Sequence, residues 1–170
     1  MTMLHFSHKL RTHAQSGSVA INPKTGGVEA LVGNVTSEDH NSFLDFNYAT
    51  QSKRSTGSVI KPLIAYLPAV QAGWPIDKVL EDKPTTYPGN WTPQNYSGEY
   101  LGTVPMYQAL ANSYNIPAIN TYRDITPEKG NAVGREFGLN LNKKDENNTL
   151  STVLGSGVET NPWEMAQAFA

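Results

Sequence analysis

The residues with the clearest chemical potential in this chain are Ser58 and Lys61, three positions apart in the run Arg54-Ser-Thr-Gly-Ser-Val-Ile-Lys-Pro62. Residues at this spacing lie on the same face of a helix, so a helix beginning near Ser58 brings the Lys61 amine toward the Ser58 hydroxyl. A serine hydroxyl is a poor nucleophile at neutral pH unless a neighbouring base takes its proton. The spacing therefore predicts a candidate nucleophile with its own base.

Lys61 can act as a base only if its pKa lies well below that of an ordinary lysine. Burial disfavours the ammonium form, and the positive end of a helix dipole has the same effect. We expect both influences at Lys61, and therefore a lowered pKa. The tetrapeptide by itself also fits an ordinary helix with a surface serine and a lysine whose stem lies along apolar surface.

The element that must position this pair is a helix from Ser58 to about Ala72. Gly57 permits a tight entry turn, and Pro62 is tolerated in a first turn. Pro68 is expected to bend or end the helix. Apolar residues follow the i, i+3, i+4, i+7 pattern of a buried helix face at Ile60, Leu63, Ile64, Leu67 and Val70.

A second motif, Ser113-x-Asn115, follows the first in the order found in β-lactamases and penicillin-binding proteins. With several flanking segments, these motifs resemble the transpeptidase domain of class A penicillin-binding proteins, from about Ser18 to the last residue. The flanking segments are Phe46-Asn-Tyr-Ala49, Pro93-Gln-Asn-Tyr96, Gly102-Thr-Val104, Ala109-Leu110, Asn112-Ser-Tyr-Asn-Ile-Pro-Ala118 and Asn161-Pro-Trp-Glu-Met-Ala-Gln-Ala168.

This resemblance implies a role for each motif residue. Ser58 would be acylated by the penultimate D-Ala of a peptidoglycan stem peptide, and Lys61 would accept its proton. Ser113 would relay a proton to the leaving amine, while Asn115 would hold the Lys61 side chain and the substrate amide. The backbone N–H of Ser58 would supply one oxyanion donor.

The resemblance also implies a mixed α and β fold, an antiparallel sheet with helices on both sides, here incomplete. Residues 1–17 would be a lead-in and residues 18–170 the N-terminal half of the domain. The implied partners are the stem peptide, β-lactam antibiotics and the remaining C-terminal half, in the same or a separate chain. The implied location is the extracytoplasmic face of the bacterial cell membrane, and no cofactor or metal is implied.

One family motif, a Lys-Thr/Ser-Gly on a strand after Ser-x-Asn, does not occur in that position. Lys24-Thr25-Gly26 precedes the nucleophile, and its surroundings, Asn22 to Gly27 between the apolar runs Val19–Ile21 and Val28–Val32, predict a hairpin turn. We therefore expect this sequence to be structural. We also expect the 170 residues alone to show little transpeptidase or carboxypeptidase turnover.

The composition is that of a globular domain of 170 residues with 38% apolar content and no cysteine. A net charge of −2 does not indicate the excess of basic residues that is typical of nucleic-acid binding. The neighbouring His5, His8 and His13 do not predict a metal site, since no second ligand cluster accompanies them.

The other elements are predicted more coarsely. Gly73 to Gly102 is expected to be a long loop whose aromatic residues rim a peptide cleft or cover the core. A helix is expected from Thr103 to Asn112, presenting Ser113 at its end, and another from Ile116 to Phe137 with a break at Pro127. The aromatic residues in question are Trp91, Tyr96 and Tyr100.

Other functions share parts of this pattern. A DD-carboxypeptidase or a β-lactamase would carry both motifs, although a class A β-lactamase also needs a deacylating glutamate, and Glu128 and Glu136 lie in no recognisable motif for it. A module that senses or binds β-lactams without turnover is an alternative of a different class. A persistent acyl-enzyme separates a transpeptidase from a β-lactamase, whereas signal output from an acylated protein that does not cycle favours the sensor.

Overall fold

The computed structural model describes residues 16–34, 46–141 and 150–170. The chain forms two compact units, one made of Met1–Arg54 with Thr160–Ala170 and the other of Ser55–Glu159. Helices and antiparallel strand pairs occur together, which confirms the predicted mixed class. The three histidines near the N-terminus lie outside the described residues.

The first unit contains a hairpin of strands β1 (Ser18–Ile21) and β2 (Val28–Val32), paired antiparallel. Between the strands, the Asn22 side chain accepts the Lys24 N–H at 2.9 Å, and Gly26 takes the left-handed φ of 70° that glycine tolerates. The prediction that Lys24-Thr25-Gly26 is a turn is therefore confirmed.

The helix of the first unit, α5 (Pro162–Phe169), begins with a well-formed cap. The Asn161 side chain accepts the Glu164 N–H at 2.8 Å and donates to the Thr50 carbonyl at 3.0 Å. Pro162 occupies the first turn, where its missing N–H costs nothing.

A helical segment in the core of the second unit changes its hydrogen-bonding pattern twice along its length. The segment begins as a 3₁₀-helix over Gly57–Ile60, widens to a π-helix over Pro62–Tyr66 and ends as α1 (Leu67–Gln71). The predicted helix is present, but Pro68 does not end it. The widened turn before Pro68 already replaces the regular pattern, with Leu67 N–H bonding to the Pro62 carbonyl five residues back.

Strands β4 (Val79–Asp82) and β5 (Gly102–Pro105) pair antiparallel, with Leu80 opposite Val104. The helix predicted from Thr103 is therefore wrong in its first turn, because α2 begins only at Met106 and ends at Ala111. Pairing with β4 and the burial of Val104, which is 1% exposed, favour extended backbone over helix here. Two-residue strands, β3 (Arg54–Ser55) and β6 (Glu159–Thr160), complete the strands of the described residues.

The central helix of this unit is α3 (Asn115–Ile125), which packs on the π-helical segment, on β4 and on a 3₁₀-helix over Leu150–Leu154. Thr126, with a φ of 75°, separates α3 from α4 (Pro127–Glu136), so the predicted break at Pro127 is confirmed. Within the described ranges, no helix is both long enough and apolar enough to cross a membrane.

Candidate active site

Ser58 lies in the first turn of the 3₁₀-helix and is exposed to solvent. The Lys61 N–H donates to the Ser58 carbonyl, which closes the 3₁₀ turn between them. In a 3₁₀-helix the side chains at i and i+3 are eclipsed, so this winding stacks the two side chains more directly than an α-turn does. The local fold therefore strengthens the relation that the spacing predicts.

The turn that carries Ser58 is held by the chain segment near Gly155. The Ser55 hydroxyl donates to the Gly155 carbonyl at 2.9 Å, and the Thr56 N–H donates to the Val158 carbonyl at 3.1 Å. Gly155, at a φ of 92°, lies so close that a Cβ there would collide with the backbone of Gly57. This contact fixes the backbone directly before Ser58.

Lys61 is 1% exposed, and four oxygens surround its amine. Its Nζ donates to the Ser113 carbonyl at 2.6 Å and to Asn115 Oδ1 at 2.7 Å. Longer contacts reach Ser113 Oγ at 3.1 Å and the Tyr114 carbonyl at 3.4 Å. All four oxygens are uncharged, and none of the ion pairs in the described part of the chain involves Lys61.

Burial lowers the pKa of Lys61 from 10.5 to about 8. With that pKa, about one amine in ten is unprotonated at pH 7, against fewer than about one in a thousand for an ordinary lysine. Uncharged acceptors satisfy the N–H donors of Lys61 without the full stabilisation that a carboxylate gives an ammonium group. The amine is therefore suited to gain and lose a proton near neutral pH.

The arrangement around Lys61 fits both of its protonation states. The carbonyl of Ser113 and the Oδ1 of Asn115 can only accept, so they take two N–H bonds in either state. The third N–H of the ammonium points to a hydroxyl. In the neutral amine a lone pair takes that place and can accept a proton from the hydroxyl of Ser113, which lies 3.1 Å away.

Ser113 occupies the short turn between α2 and α3 in a left-handed conformation, with a φ of 55°. This region is uncommon for residues other than glycine and is often associated with functional sites. The turn is closed by the Ser113 N–H, which donates to the Leu110 carbonyl at 3.0 Å. As a result, both the carbonyl and the hydroxyl of Ser113 face the Lys61 amine.

Asn115 is the first residue of α3, and its side-chain orientation is determined by its neighbours. Its Oδ1 accepts from Lys61, while its Nδ2 donates to the Gln94 carbonyl at 2.6 Å. Its backbone N–H donates to Asn95 Oδ1 at 2.8 Å. One Nδ2 hydrogen engages Gln94, so the other can donate to a bound carbonyl.

The structure thus brings Lys61, Ser113 and Asn115 into direct contact and links Ser58 to Lys61 through the 3₁₀ turn. Sequence reasoning did not assign a role to Asn95 or to Asp82, the buried residue it contacts. The available signal in the sequence was the segment Pro93-Gln-Asn-Tyr96, one of those that carry the family resemblance.

The three aromatic residues of the long loop have different environments. Trp91 packs against buried Tyr87, with ring centroids 5.6 Å apart, and so covers the core. Tyr96 is fully exposed, and Tyr100 is half-buried. Of the three, Tyr96 is the most exposed.

The glutamates considered for deacylation lie apart from the amine. Glu128 and Glu136 are exposed on α4, and none of the Lys61 hydrogen bonds involves either of them. Ser156 lies in an exposed turn, as its Gly-Ser-Gly setting indicates.

The sequence over residues 17–170 matches the family described as "Penicillin binding protein transpeptidase domain". The chain therefore belongs to the transpeptidase-domain family of the penicillin-binding proteins. This confirms the resemblance carried by the Ser-x-x-Lys and Ser-x-Asn motifs.

Among its relatives, the chain is 52% identical over 160 residues to penicillin-binding protein 2a of Streptococcus pneumoniae, covering 94% of this chain and 22% of that protein. It is 34% identical over 162 residues to penicillin-binding protein 1A of Neisseria lactamica, covering 92% and 19% respectively. The chain thus spans about a fifth of the length of these relatives.

Solved structures show the same fold. The crystal structure of penicillin-binding protein 1A from Haemophilus influenzae matches 92% of this chain and 23% of its own, with a TM-score of 0.77 and 32% identity. PonA1 from Mycobacterium tuberculosis in complex with penicillin V matches 97% and 46%, with a TM-score of 0.75. At 22% identity, the second match concerns the fold alone.

Proposed function

We propose that this chain forms the nucleophile-bearing part of a serine D-Ala-D-Ala transpeptidase that cross-links peptidoglycan. The observation that carries the proposal is the buried Lys61 amine, held by the uncharged oxygens of Ser113 and Asn115 one 3₁₀ turn from the exposed Ser58. Family membership supports the reaction class.

In the acylation step, Ser58 Oγ attacks the carbonyl carbon of the penultimate D-Ala, and its proton passes to the neutral Lys61 amine. The backbone N–H of Ser58 lies in the first helical turn, where N–H groups have no acceptor within the helix. It donates to the oxyanion, an interaction of a kind worth about a hundredfold or more in rate.

The tetrahedral intermediate then collapses with cleavage of the C–N bond. Lys61 returns the proton through the Ser113 hydroxyl to the departing D-Ala amine, and an ester remains on Ser58. The amine of an acceptor strand attacks this ester, and its proton follows the same path in reverse to restore the Ser58 hydroxyl. The free Nδ2 hydrogen of Asn115 binds the substrate amide throughout.

The partners follow from this chemistry. The substrate is a peptidoglycan stem peptide, and a β-lactam acylates Ser58 in its place through its strained amide. The opposite wall of the cleft comes from a Lys-Thr-Gly strand, in the same or a separate chain. The reaction takes place on the extracytoplasmic face of the cell membrane, where the polymer lies.

The test is the intact mass of the 170-residue chain after incubation with a fluorescent penicillin. We expect one adduct, absent from Ser58→Ala and present in Ser156→Ala, a matched change at an exposed turn serine. An adduct that survives Ser58→Ala contradicts the proposal. A long-lived adduct favours a transpeptidase over a β-lactamase.

A second arm supplies the rest of the cleft. Residues 17–170 replace the matched stretch of pneumococcal penicillin-binding protein 2a, and the chimera is incubated with the same penicillin and with a D-Ala-D-Ala stem peptide. Acylation of the chimera at Ser58 with release of D-Ala supports the proposal. A folded chimera that does neither overturns it.

A further inference from the structure

Asp82, the last residue of β4, is a carboxylate with no exposed surface. Its Oδ1 accepts from Asn95 Nδ2 at 2.8 Å, and its Oδ2 accepts from the Leu101 N–H at 3.0 Å. None of the ion pairs in the described ranges involves it. A buried charge without a cationic partner is costly, so its presence calls for a reason beyond packing.

Asn95, which is 3% exposed, connects this carboxylate to the site. Its Nδ2 donates to Asp82 and to the Glu99 carbonyl at 2.9 Å, while its Oδ1 accepts from the Asn115 N–H at 2.8 Å. The carboxylate and the carbonyl can only accept, so the amide cannot flip without losing both bonds. Asp82 and the Glu99 carbonyl together therefore set the direction in which Asn95 presents its oxygen.

Asn95 Oδ1 lies at the N-terminus of α3, where Asn115 is the first helical residue. Its N–H has no acceptor within the helix, and the Tyr114 side chain provides no cap. Gln94, the neighbour of Asn95, accepts from the Asn115 side chain. The Gln94–Asn95 pair thus holds both the backbone and the amide of the residue that binds the Lys61 amine.

We infer that Asp82 is a positioning residue, which acts through Asn95 to hold Asn115 against Lys61 and toward the substrate amide. The inference rests on the proposed function for its effect on catalysis. A carboxylate suits the position because two N–H donors converge on it. An amide has a single acceptor oxygen, so one donor would face an NH₂ group. Buried Tyr66 also responds to Asp82, since its pKa is raised first by burial and then by this charge.

The test combines Asp82→Asn with the exchanged pair Asp82→Asn/Asn95→Asp. In the single variant, the new NH₂ group faces either the Leu101 N–H or the Asn95 Nδ2, so one of these donors loses its acceptor. In the exchanged pair, the new amide at position 82 accepts from Leu101 and donates to the new carboxylate, whose second oxygen accepts the Asn115 N–H. Only the bond to the Glu99 carbonyl is not restored, because a carboxylate cannot donate. Asp77→Asn, on the exposed segment before β4, is the matched control.

We expect penicillin acylation of the chain to slow at least tenfold in Asp82→Asn, to recover in part in the exchanged pair and to be unchanged in Asp77→Asn. The exchanged pair moves a negative charge closer to Lys61, so its acylation rate should rise at a higher pH than in the wild type. A variant that had only lost its fold would show neither a displaced pH profile nor recovery of the acylation rate in the exchanged pair.

Amide hydrogen exchange tests the positioning without relying on activity. In Asp82→Asn the Asn115 N–H should exchange at least tenfold faster, while the Tyr122 N–H, deeper in the same helix, keeps its rate. Unchanged exchange at Asn115 overturns the inference, whatever the chain's acylation. Faster exchange at Asn115 in a chain that penicillin does not acylate leaves the positioning supported and removes the proposed function.

Discussion

Two lysines, one in each unit, show how the surroundings of an amine decide what it can do. Lys53, in the first unit, is 47% exposed at its side chain, and its Nζ lies 2.6 Å from Glu164 Oε1. Lys61, in the second unit, is 1% exposed and contacts uncharged oxygens. A carboxylate favours the ammonium form, whereas uncharged acceptors in a buried setting leave it easier to deprotonate.

The partner of Lys53 shows the same effect from the acidic side. Burial by itself raises the pKa of Glu164, but hydrogen bonds from Lys53 and Thr160 and the charge of Lys53 bring it below its usual value. The hydrogen bond and the charge of Lys53 thus favour the ionised form of the Glu164 carboxyl group. The contrast with Lys61 shows that a lysine can have its N–H groups satisfied without a partner that holds its charge.

The largest effect is expected from removing each amine in turn by lysine to methionine, which keeps the length of the side chain. Lys61→Met should lower the rate of penicillin acylation by about a thousandfold, since a positioned base contributes about 10² to 10⁴. Lys53→Met should leave that rate unchanged. The measurement is the second-order rate constant for adduct formation, and a Lys61→Met rate within threefold of wild type would contradict the assignment.

Asn115→Asp tests the comparison by giving Lys61 the kind of partner that Lys53 has. The new carboxylate should hold the ammonium, so acylation at pH 7 should fall on the order of tenfold to a hundredfold. In the wild type the rate should rise with pH through about 8, the pKa of Lys61, because the base must lose a proton to act. In the variant this rise should move to higher pH.

The control for this variant is Asn112→Asp, at an exposed asparagine just before the same turn. Its side chain bonds to the Gln108 carbonyl and not to Lys61. The same displacement of the pH profile in both variants would show a general charge effect and count against a specific contact at Asn115.

A smaller effect is expected on stability. The pKa of Lys61 is about 8 in the folded chain, against 10.5 for a lysine free in water, so the folded chain binds fewer protons than the unfolded chain between these values. The free energy of unfolding should therefore rise with pH from about 8 to 10.5, by at most about 1.4 kcal/mol per pH unit. Denaturant titrations across this range measure it, and the Lys61→Met chain should lack this component of the rise.

The smallest effect is expected at the exposed ion pair. Lys53→Met should change the free energy of unfolding by less than about 1 kcal/mol, because exposed pairs gain little over their hydrated ions. The same denaturant titrations at neutral pH check this. A loss of several kcal/mol would show that the two lysines differ less in their energetic role than their surroundings indicate.

Features encoded by short stretches of sequence were the ones that could be predicted. Gly26 and its neighbours specify the hairpin turn, Pro127 marks the helix break, and the two motifs point to Lys61 and Asn115. Each depends on residues a few positions apart, whose backbone preferences or spacing are visible directly.

Features set by contacts distant in sequence were missed. The strand at Thr103 exists because β4 pairs with it, and the widened turn before Pro68 is formed within a packed core. The link from Asp82 through Asn95 to Asn115 joins three segments, and no local sequence pattern predicts that they contact one another. Such contacts override local propensity because pairing and burial contribute more free energy than it does.

The oxygens around Lys61 serve its charged and neutral forms alike, and this has a consequence for the dynamics of catalysis. A proton can leave or return while the carbonyl of Ser113 and the amide of Asn115 stay where they are. The reorganisation energy of proton transfer is then confined to the rotation of a hydroxyl. In the proposed reaction, the transfer of a proton to and from Lys61 therefore requires no movement of a loop or helix.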